Sequence, residues 1–360
     1  MGRSARFYKR GEGKMDKQHK LQTVGRLLDE HGHLSEQGYA TRLMKQYDRK
    51  DVAAPVWRIK EWDYYLIATD RFALALTIAD NGYMGLDSIS FLSFDGRPWE
   101  KTFTRMSLMP LGRRHLPATS VSGDVQTAGR GYRMTFENKN SVRRLVGNIP
   151  DFLPGRHLLF DIAIAPRPGD SMVIATPFHE SPRDFYYNQK INCLVPDGRV
   201  LIGDDEYLFS PASARAVLDW GRGVWPYRNT WYWGSLSCVT KEGEFGLNLG
   251  YGFGDTSAAS ENMAFLNGHA HKLGRVVFHI PEKDGQVDYM SPWRITDQEG
   301  RVDLVLEPVL DRSSRASAGL ICSDQHQVFG RFTGRVTLDD GRVVSLERRL
   351  GFAEKVCNRW

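Results

Sequence analysis

Phe245-Gly246-Leu247-Asn248-Leu249-Gly250-Tyr251-Gly252-Phe253 decides the fold class. Every second residue is bulky and apolar, and the residues between are glycine or asparagine. A period of two belongs to a strand, because successive side chains leave opposite faces of a sheet. The pattern predicts that Phe245, Leu247, Leu249, Tyr251 and Phe253 point one way and that the bare face suits close approach of a ligand or another strand.

The same period recurs outward from this stretch. Phe72, Leu74, Leu76 and Ile78 alternate with Ala73, Ala75, Thr77 and Ala79, which predicts a strand with one large and one small face. Asn81-Gly82, Asp95-Gly96 and Asp339-Asp340-Gly341 are hairpin turn signals. Strand-like segments cover 62–69, 132–138, 158–164, 172–176, 199–209, 275–280, 302–306, 328–338 and 343–350, with a turn at 166–169. Two short helices are expected, one over 34–48 and one from Pro211 to Trp220, capped by Ser210 and ended by Gly221 and Gly223. Many strands, 35 glycines and few helices make this a mainly β protein of barrels or sandwiches.

Composition narrows the function classes. The chain has 360 residues with 41% apolar side chains, enough for a core without disulfide staples. Its length fits two β units, taken as residues 21–185 and 186–360, behind a basic tail of residues 1–20. That tail holds seven basic and two acidic residues, which accounts for the whole net charge of +5. A formally neutral body lacks the basic face that nucleic acid requires, so no nucleic-acid partner is expected. The tail reads as solvated and disordered, with Met15 an alternative start. No run approaches the roughly 18 apolar residues of a membrane span, and no apolar segment follows the basic N-terminus as in a secretory signal. Four scattered cysteines without a Cys-x-x-Cys pair fit a reducing, cytoplasmic compartment.

Four segments carry residues suited to chemistry. From Asp219 to Gly234, six of sixteen residues are Trp or Tyr, with Arg222 and Arg228 among them. Trp225, Tyr227, Trp231 and Trp233 can line a pocket while their polar tips orient a ligand, and either arginine can hold an anionic group. From Gly250 to Asn262, Asp255 and Glu261 are candidate acids beside Tyr251. Around Ser323–Gly330, His326 is a candidate acid/base with Asp324 close by. Around Tyr186–Asn192, Asn188 and Lys190 can hold a polar group. His269-Ala270-His271 has the spacing of a metal pair on a strand, but no acidic third ligand stands at an obvious spacing, so no metal is expected. No phosphate loop and no Gly-x-Ser-x-Gly elbow is present.

The strings DWGRGVWPYRNTWYWGS (219–235), NLGYGFGDTSAASEN (248–262), SDQHQVFGRF (323–332) and GFAEKVCNRW (351–360) resemble the bacterial and fungal family called domain of unknown function 2804, over residues 20 to 360. That family is distantly similar to the lipocalin-like group of tocopherol cyclase, carotenoid hydratases and some Diels–Alderases. The resemblance implies two lipocalin-like β-barrels or sandwiches in tandem around an apolar cavity, with no cofactor. In the hydratases a His, a Trp, a Tyr and an Asp face the cavity. Here Trp233 takes the Trp place and Phe253-Gly254-Asp255 the Tyr-x-Asp place, with Phe for Tyr, while Trp231 stands where the His would fall.

Two functions compete on these residues. The first is a cofactor-independent cyclase, hydratase or isomerase acting on a hydrophobic or amphipathic small molecule. Asp219, Asp255, Glu261 or His326 would move the proton. The second is a non-catalytic lipid or isoprenoid carrier, favoured if Asp219 is fully occupied by Arg222 or Arg228. Carbohydrate binding on the Trp and Tyr platforms is a weaker third. The sequence leaves the oligomeric state open.

Overall fold

The computed structural model of the chain describes residues 18–166, 169–318 and 321–359. Residues 1–17, which form most of the expected tail, lie outside the described residues, as do 167 and 168 of the expected turn. The last tail residues are docked. Gln18 donates to the Leu273 carbonyl at 2.9 Å and accepts from the Ser260 amide at 2.8 Å.

Among the described residues the regular secondary structure is strand apart from one 3-10 turn, with most strands in three large antiparallel sheets. An eight-stranded sheet has the order Gly38–Ala40, Met172–Phe178, Ser181–Leu194, Arg215–Val224, Lys60–Ala68, Phe72–Asp80, Met84–Ser93, Trp99–Leu108. A six-stranded sheet runs from Asp205–Phe209 through Pro196–Ile202, Arg156–Ile164, Val142–Leu153 and Tyr132–Lys139 to Val125–Gly129. A nine-stranded sheet runs from His269–Lys272 through Met263–Leu266, Gly243–Tyr251, Arg228–Thr240, Val343–Arg359, Ile321–Thr337, Val302–Ala318 and Trp293–Asp297 to Val276–His279. The nine-stranded sheet curls until the Phe278 amide donates to the Tyr251 hydroxyl at 3.2 Å, across strands far apart in its order. This is a lipocalin-like, mainly β fold.

The hairpin turns stand where the sequence places them, with Gly82, Gly96 and Gly341 at φ +77°, +60° and +86°. Neither expected helix forms. Residues 34–48 contain the strands Gly38–Ala40 and Lys45–Gln46, followed by a single 3-10 turn, Arg49–Asp51. Gly38 (φ +148°) is pressed so close to the His19 carbonyl that an added Cβ would lie 2.4 Å from its oxygen. Residues 211–213 form only a turn, and the rest of the second segment becomes the strand Arg215–Val224. Its neighbours Ser181–Leu194 and Lys60–Ala68 take up its backbone groups on both edges. Both faces of this strand are buried, so Ala216, Val217 and Leu218 are apolar in succession, and period alone does not separate such a run from a helix.

The strand Ser181–Leu194 passes straight through the expected boundary at 185/186 and lies inside the eight-stranded sheet. We propose that the division between the two β units falls instead at 225–227, where the chain leaves that sheet for the nine-stranded one.

The core has layers. One face of the eight-stranded sheet, carrying Leu74, Leu76, Ile78, Tyr187 and Trp220, packs with Phe136, Leu145 and Phe160 of the six-stranded sheet. Its other face meets the outer face of the nine-stranded sheet, where Ala73 and Ala75 sit against Phe329 and Phe352. The small face of Phe72–Asp80 thus lets a second sheet approach closely. Phe245, Leu247 and Leu249 fill the interior of the nine-stranded sheet, as the alternation predicts. Phe253 leaves the pattern. The strand ends at Tyr251, Gly252 and Gly254 take φ +87° and +79°, and Phe253 turns into the contact between the sheets.

Candidate active site between the two sheets

Four strands bring polar side chains to the buried contact between the eight- and nine-stranded sheets. On Ser181–Leu194, Tyr186, Asn188 and Lys190 stand two residues apart and so share one face. Lys190 is 2% exposed, and its ammonium donates to Tyr186 Oη, Asn188 Oδ1 and Glu261 Oε2, each at 2.9 Å. All three donors of the ammonium are therefore used. Asp219 Oδ1 lies 3.8 Å from Lys190 Nζ and accepts from Asn188 Nδ2 at 2.5 Å. Trp233 caps the cluster. Its indole N–H donates to Asn248 Oδ1 at 2.7 Å, and the Lys190 ammonium lies 4.9 Å from its ring centre. Asn248 in turn donates to the Glu261 carbonyl at 2.8 Å.

Burial sets the electrostatics. It would push the Lys190 ammonium down, but Asp219 and Glu261 outweigh it and hold the group well above its ordinary value. Burial raises Asp219, with Lys190 and Asn188 opposing the rise, and raises the Tyr186 phenol strongly. The cluster is thus a buried cation held between two carboxylates.

A proton-exchanging group stands beside it. Glu354, on the strand Val343–Arg359, is 4% exposed. It accepts from the Trp231 indole N–H at 2.7 Å and from Gln327 Nε2 at 2.9 Å. Both donors are neutral; they and the Arg312 cation favour the charged form, but burial outweighs them and pushes this carboxyl up to about 7. Tyr64, 3.4 Å from Gln327 Nε2, completes this end and is pushed up to about 12 by burial.

An aromatic wall closes the site. Trp62 stacks on Tyr186 at 6.1 Å and meets Trp225 edge-on at 5.5 Å. Phe253 lies edge-on to Trp225, Trp231 and Tyr186 at 5.3, 5.4 and 4.9 Å. Two glycines make room. A Cβ on Gly221 would lie 2.0 Å from the Trp62 ring, and one on Gly250 would lie 2.4 Å from Glu261 Oε1. The bare face read from the sequence is therefore filled by the protein's own carboxylate at Gly250. A cavity of about 30 Å³ lies between the same sheets, lined by residues such as Leu66, Val217, Ser235, Phe329 and Phe352. That is room for about one water.

Of the residues singled out in the sequence, Asn188, Lys190, Asp219, Glu261, Trp225, Trp231 and Trp233 converge here. Arg222 does not. It is fully buried on the opposite face, stacked on Trp220, and donates to Asp63 Oδ1 at 3.0 Å and to the Trp62 and Pro117 carbonyls. It is thus occupied by the protein itself and is not the partner of Asp219. Tyr251 faces the interior of the nine-stranded sheet, stacked on Tyr232 at 4.4 Å. Tyr227 and Arg228 are exposed on the chain that links the two sheets. Asp255 shapes a turn, accepting from the Ser257 amide at 2.9 Å. His326 shares its strand face with Val328, inside the nine-stranded sheet. It is stacked on Tyr289 at 3.7 Å with its Nδ1 2.6 Å from Asp311 Oδ2.

Sequence reading missed Glu354, Trp62, Tyr64, Asn248 and Gln327. Glu354 had a legible signal, an acidic residue between Phe352 and Val356 on a face otherwise apolar. His271 lies with Asp339 and Asp340, ligand atoms within 4.8 Å of one another, and Asp340 already holds Arg342 at 2.5 Å.

A family model described as domain of unknown function (DUF2804) matches residues 18–360. The chain belongs to the DUF2804 family. A search of the curated proteins found no match to its sequence. Among solved structures, this DUF2804 chain is similar to kievitone hydratase from Nectria haematococca at 14% identity and TM-score 0.50, over 82% of this chain and 88% of that one. It is also similar to an AttH-like protein from Nitrosomonas europaea at 13% identity and TM-score 0.50, over 86% and 95%. At such identities the likeness is one of fold, and the chemistry rests on the site.

Proposed function

We propose that this protein is a cofactor-independent enzyme of the hydratase, cyclase or isomerase type. It acts on a hydrophobic or amphipathic small molecule at the aromatic wall between the two sheets. The observation that carries this reading is Glu354, a buried carboxyl held by neutral donors only and poised to exchange a proton near pH 7. An acid/base is most effective when its pKa lies near the working pH. The indole faces of Trp62 and Trp231 suit positive charge developing on an alkene or carbonyl carbon as Glu354 gives up its proton. Lys190, Asp219 and Glu261 act as preorganised charge that needs no rearrangement during the reaction.

The carrier reading draws its support from Asp219, which is engaged by Asn188 and Lys190. Glu354 favours the enzyme over it, because a carrier has no use for a carboxyl raised to about 7 at such a cost of burial. The test exposes a lipid extract from the native host to wild type and to Glu354→Gln and follows both by mass spectrometry. Wild type is expected to convert one component into an isomer or a water adduct, and the variant to do so about a hundredfold more slowly. Equal conversion by both sinks Glu354 as the acid. Retention of a component without conversion by either restores the carrier.

A further inference from the structure

Glu354 stands in the middle of a cross-strand row. In the nine-stranded sheet Arg312 lies directly opposite Gln327, Gln327 opposite Glu354, and Glu354 opposite Trp233. Opposed residues of antiparallel strands share a face, so all four point into the contact with the eight-stranded sheet. Arg312 and Glu354 are two strands apart, roughly 10 Å between backbones, and Gln327 fills the space between them. The Arg312 guanidinium donates to Gln327 Oε1 at 3.1 Å. Gln327 Nε2 donates to Glu354 Oε2 at 2.9 Å and reaches Tyr64 Oη at 3.4 Å. The Trp231 indole supplies Glu354 Oε1. Asp311, His326 and Lys355 are the chain neighbours of the row and leave the opposite face. Across the contact the eight-stranded sheet offers Tyr64 from Lys60–Ala68 and Asp219 from Arg215–Val224, with Lys190 of Ser181–Leu194 held beyond Asp219.

The chemistry of the row fixes which way the Gln327 amide points. A primary amide has a donor end and an acceptor end of nearly the same shape, and its terminal torsion turns readily between them. A guanidinium has donors and no acceptor. Arg312 therefore holds the Gln327 carbonyl towards itself and turns the amide N–H groups on Glu354 and Tyr64. Both oxygens of Glu354 then face donors, which favours the carboxylate and opposes burial. The charge of Arg312 acts in the same direction. Without the guanidinium the amide is free to turn over, and its carbonyl then accepts the proton of the neutral acid and holds it there. We propose that Arg312 is a positioning residue: through Gln327 it keeps both oxygens of Glu354 on N–H donors, so that the carboxyl releases its proton rather than sharing it with the amide. Release to a substrate rests on the function proposed above, but the hold on the amide does not.

Urea midpoints across pH, each taken against the same chain carrying Glu354→Gln, read this carboxyl without any substrate. In wild type the Glu354 contribution should fall as pH rises towards 7 and then stay flat. In Arg312→Met the fall should continue to about one pH unit higher, because the folded acid keeps its proton longer. Arg312→Lys, which keeps the charge and a donor, should restore the wild-type course. Gln327→Met should also carry the fall upward, and adding Arg312→Met to it should move the course less than Arg312→Met does alone. Arg312 is half-buried and Met matches Gln327 in length, so these variants should fold. A course unchanged in Arg312→Met overturns the proposal. So does an equal move with and without Gln327, which leaves Arg312 a charge effect only. In conversion of the lipid extract, the alkaline limit of activity should rise with the urea course. Equal conversion by wild type and Glu354→Gln sinks the acid and leaves the urea course to score Arg312 separately.

Discussion

Lys190 shows how much one residue decides here. Its ammonium is the single group that separates Glu261 from Asp219, and all three are buried. Removing one partner of a buried ionic cluster leaves an uncompensated charge, which costs about 3–5 kcal/mol. Lys190→Met should therefore lower the urea midpoint steeply, and adding Glu261→Gln should recover part of the loss. If the double variant is no more stable than the single one, the three groups do not act as a unit. Glu354 makes a second demand at this scale. Its carboxyl is raised from an ordinary 4.5 to about 7, so between those values the folded state holds a proton that the unfolded chain has released. Stability from this group is present below about pH 4.5, falls as pH rises towards 7 and is then flat. The stability difference between Glu354→Gln and wild type should follow that course, read from urea midpoints across the pH range. Lys190 and Asn188 were visible in the sequence as polar residues two apart beside tyrosines. Glu354 left a trace too, an acidic residue between Phe352 and Val356, but its burial was decided by the tertiary structure.

At the scale of the element, the two glycines opposite the site test whether local sequence serves the chemistry. Gly221→Ala drives a methyl group into the Trp62 ring from within a strand buried on both faces. A forced fit of that kind costs about 1–3 kcal/mol. The variant should lose stability and change the near-ultraviolet signal of the stacked indoles. An unchanged spectrum would mean that Trp62 does not lie against this strand. The expected helix over 211–220 failed for a related reason. Ala216-Val217-Leu218 is apolar in succession because each face of its strand meets a different sheet, and such a run carries no period of two. Phe245–Leu249 is also buried on both faces, but there glycine and asparagine mark the second face, so the period was plain and the strand stands where it was read.

At the scale of the whole molecule, the site exists only where two sheets meet. Trp231, Trp233 and Glu354 come from the nine-stranded sheet, and Trp62, Asp219 and Lys190 come from the eight-stranded one. Residues 18–224 and 228–359 expressed separately should each expose this face and associate or misfold, and mixing them should restore a soluble complex with the wild-type tryptophan emission. Two well-behaved monomers that ignore each other would show that the contact contributes little. The sequence by itself determined that the protein is mainly β, where its hairpins turn and that aromatic side chains crowd residues 219–234, of which Trp225, Trp231 and Trp233 reach the contact between the sheets. Alternation, turn glycines and aromatic density are local properties, written within a few residues of one another. Only the tertiary structure decided that Arg222 faces Asp63 rather than a ligand, that His326 lies away from the other candidates and that Glu354 stands beside Trp231. Those outcomes depend on which face of a strand meets which neighbour. That choice is made by strand pairing between distant residues, more than a hundred positions apart for Arg222 with Asp63 and for Glu354 with Trp231, which no local pattern encodes.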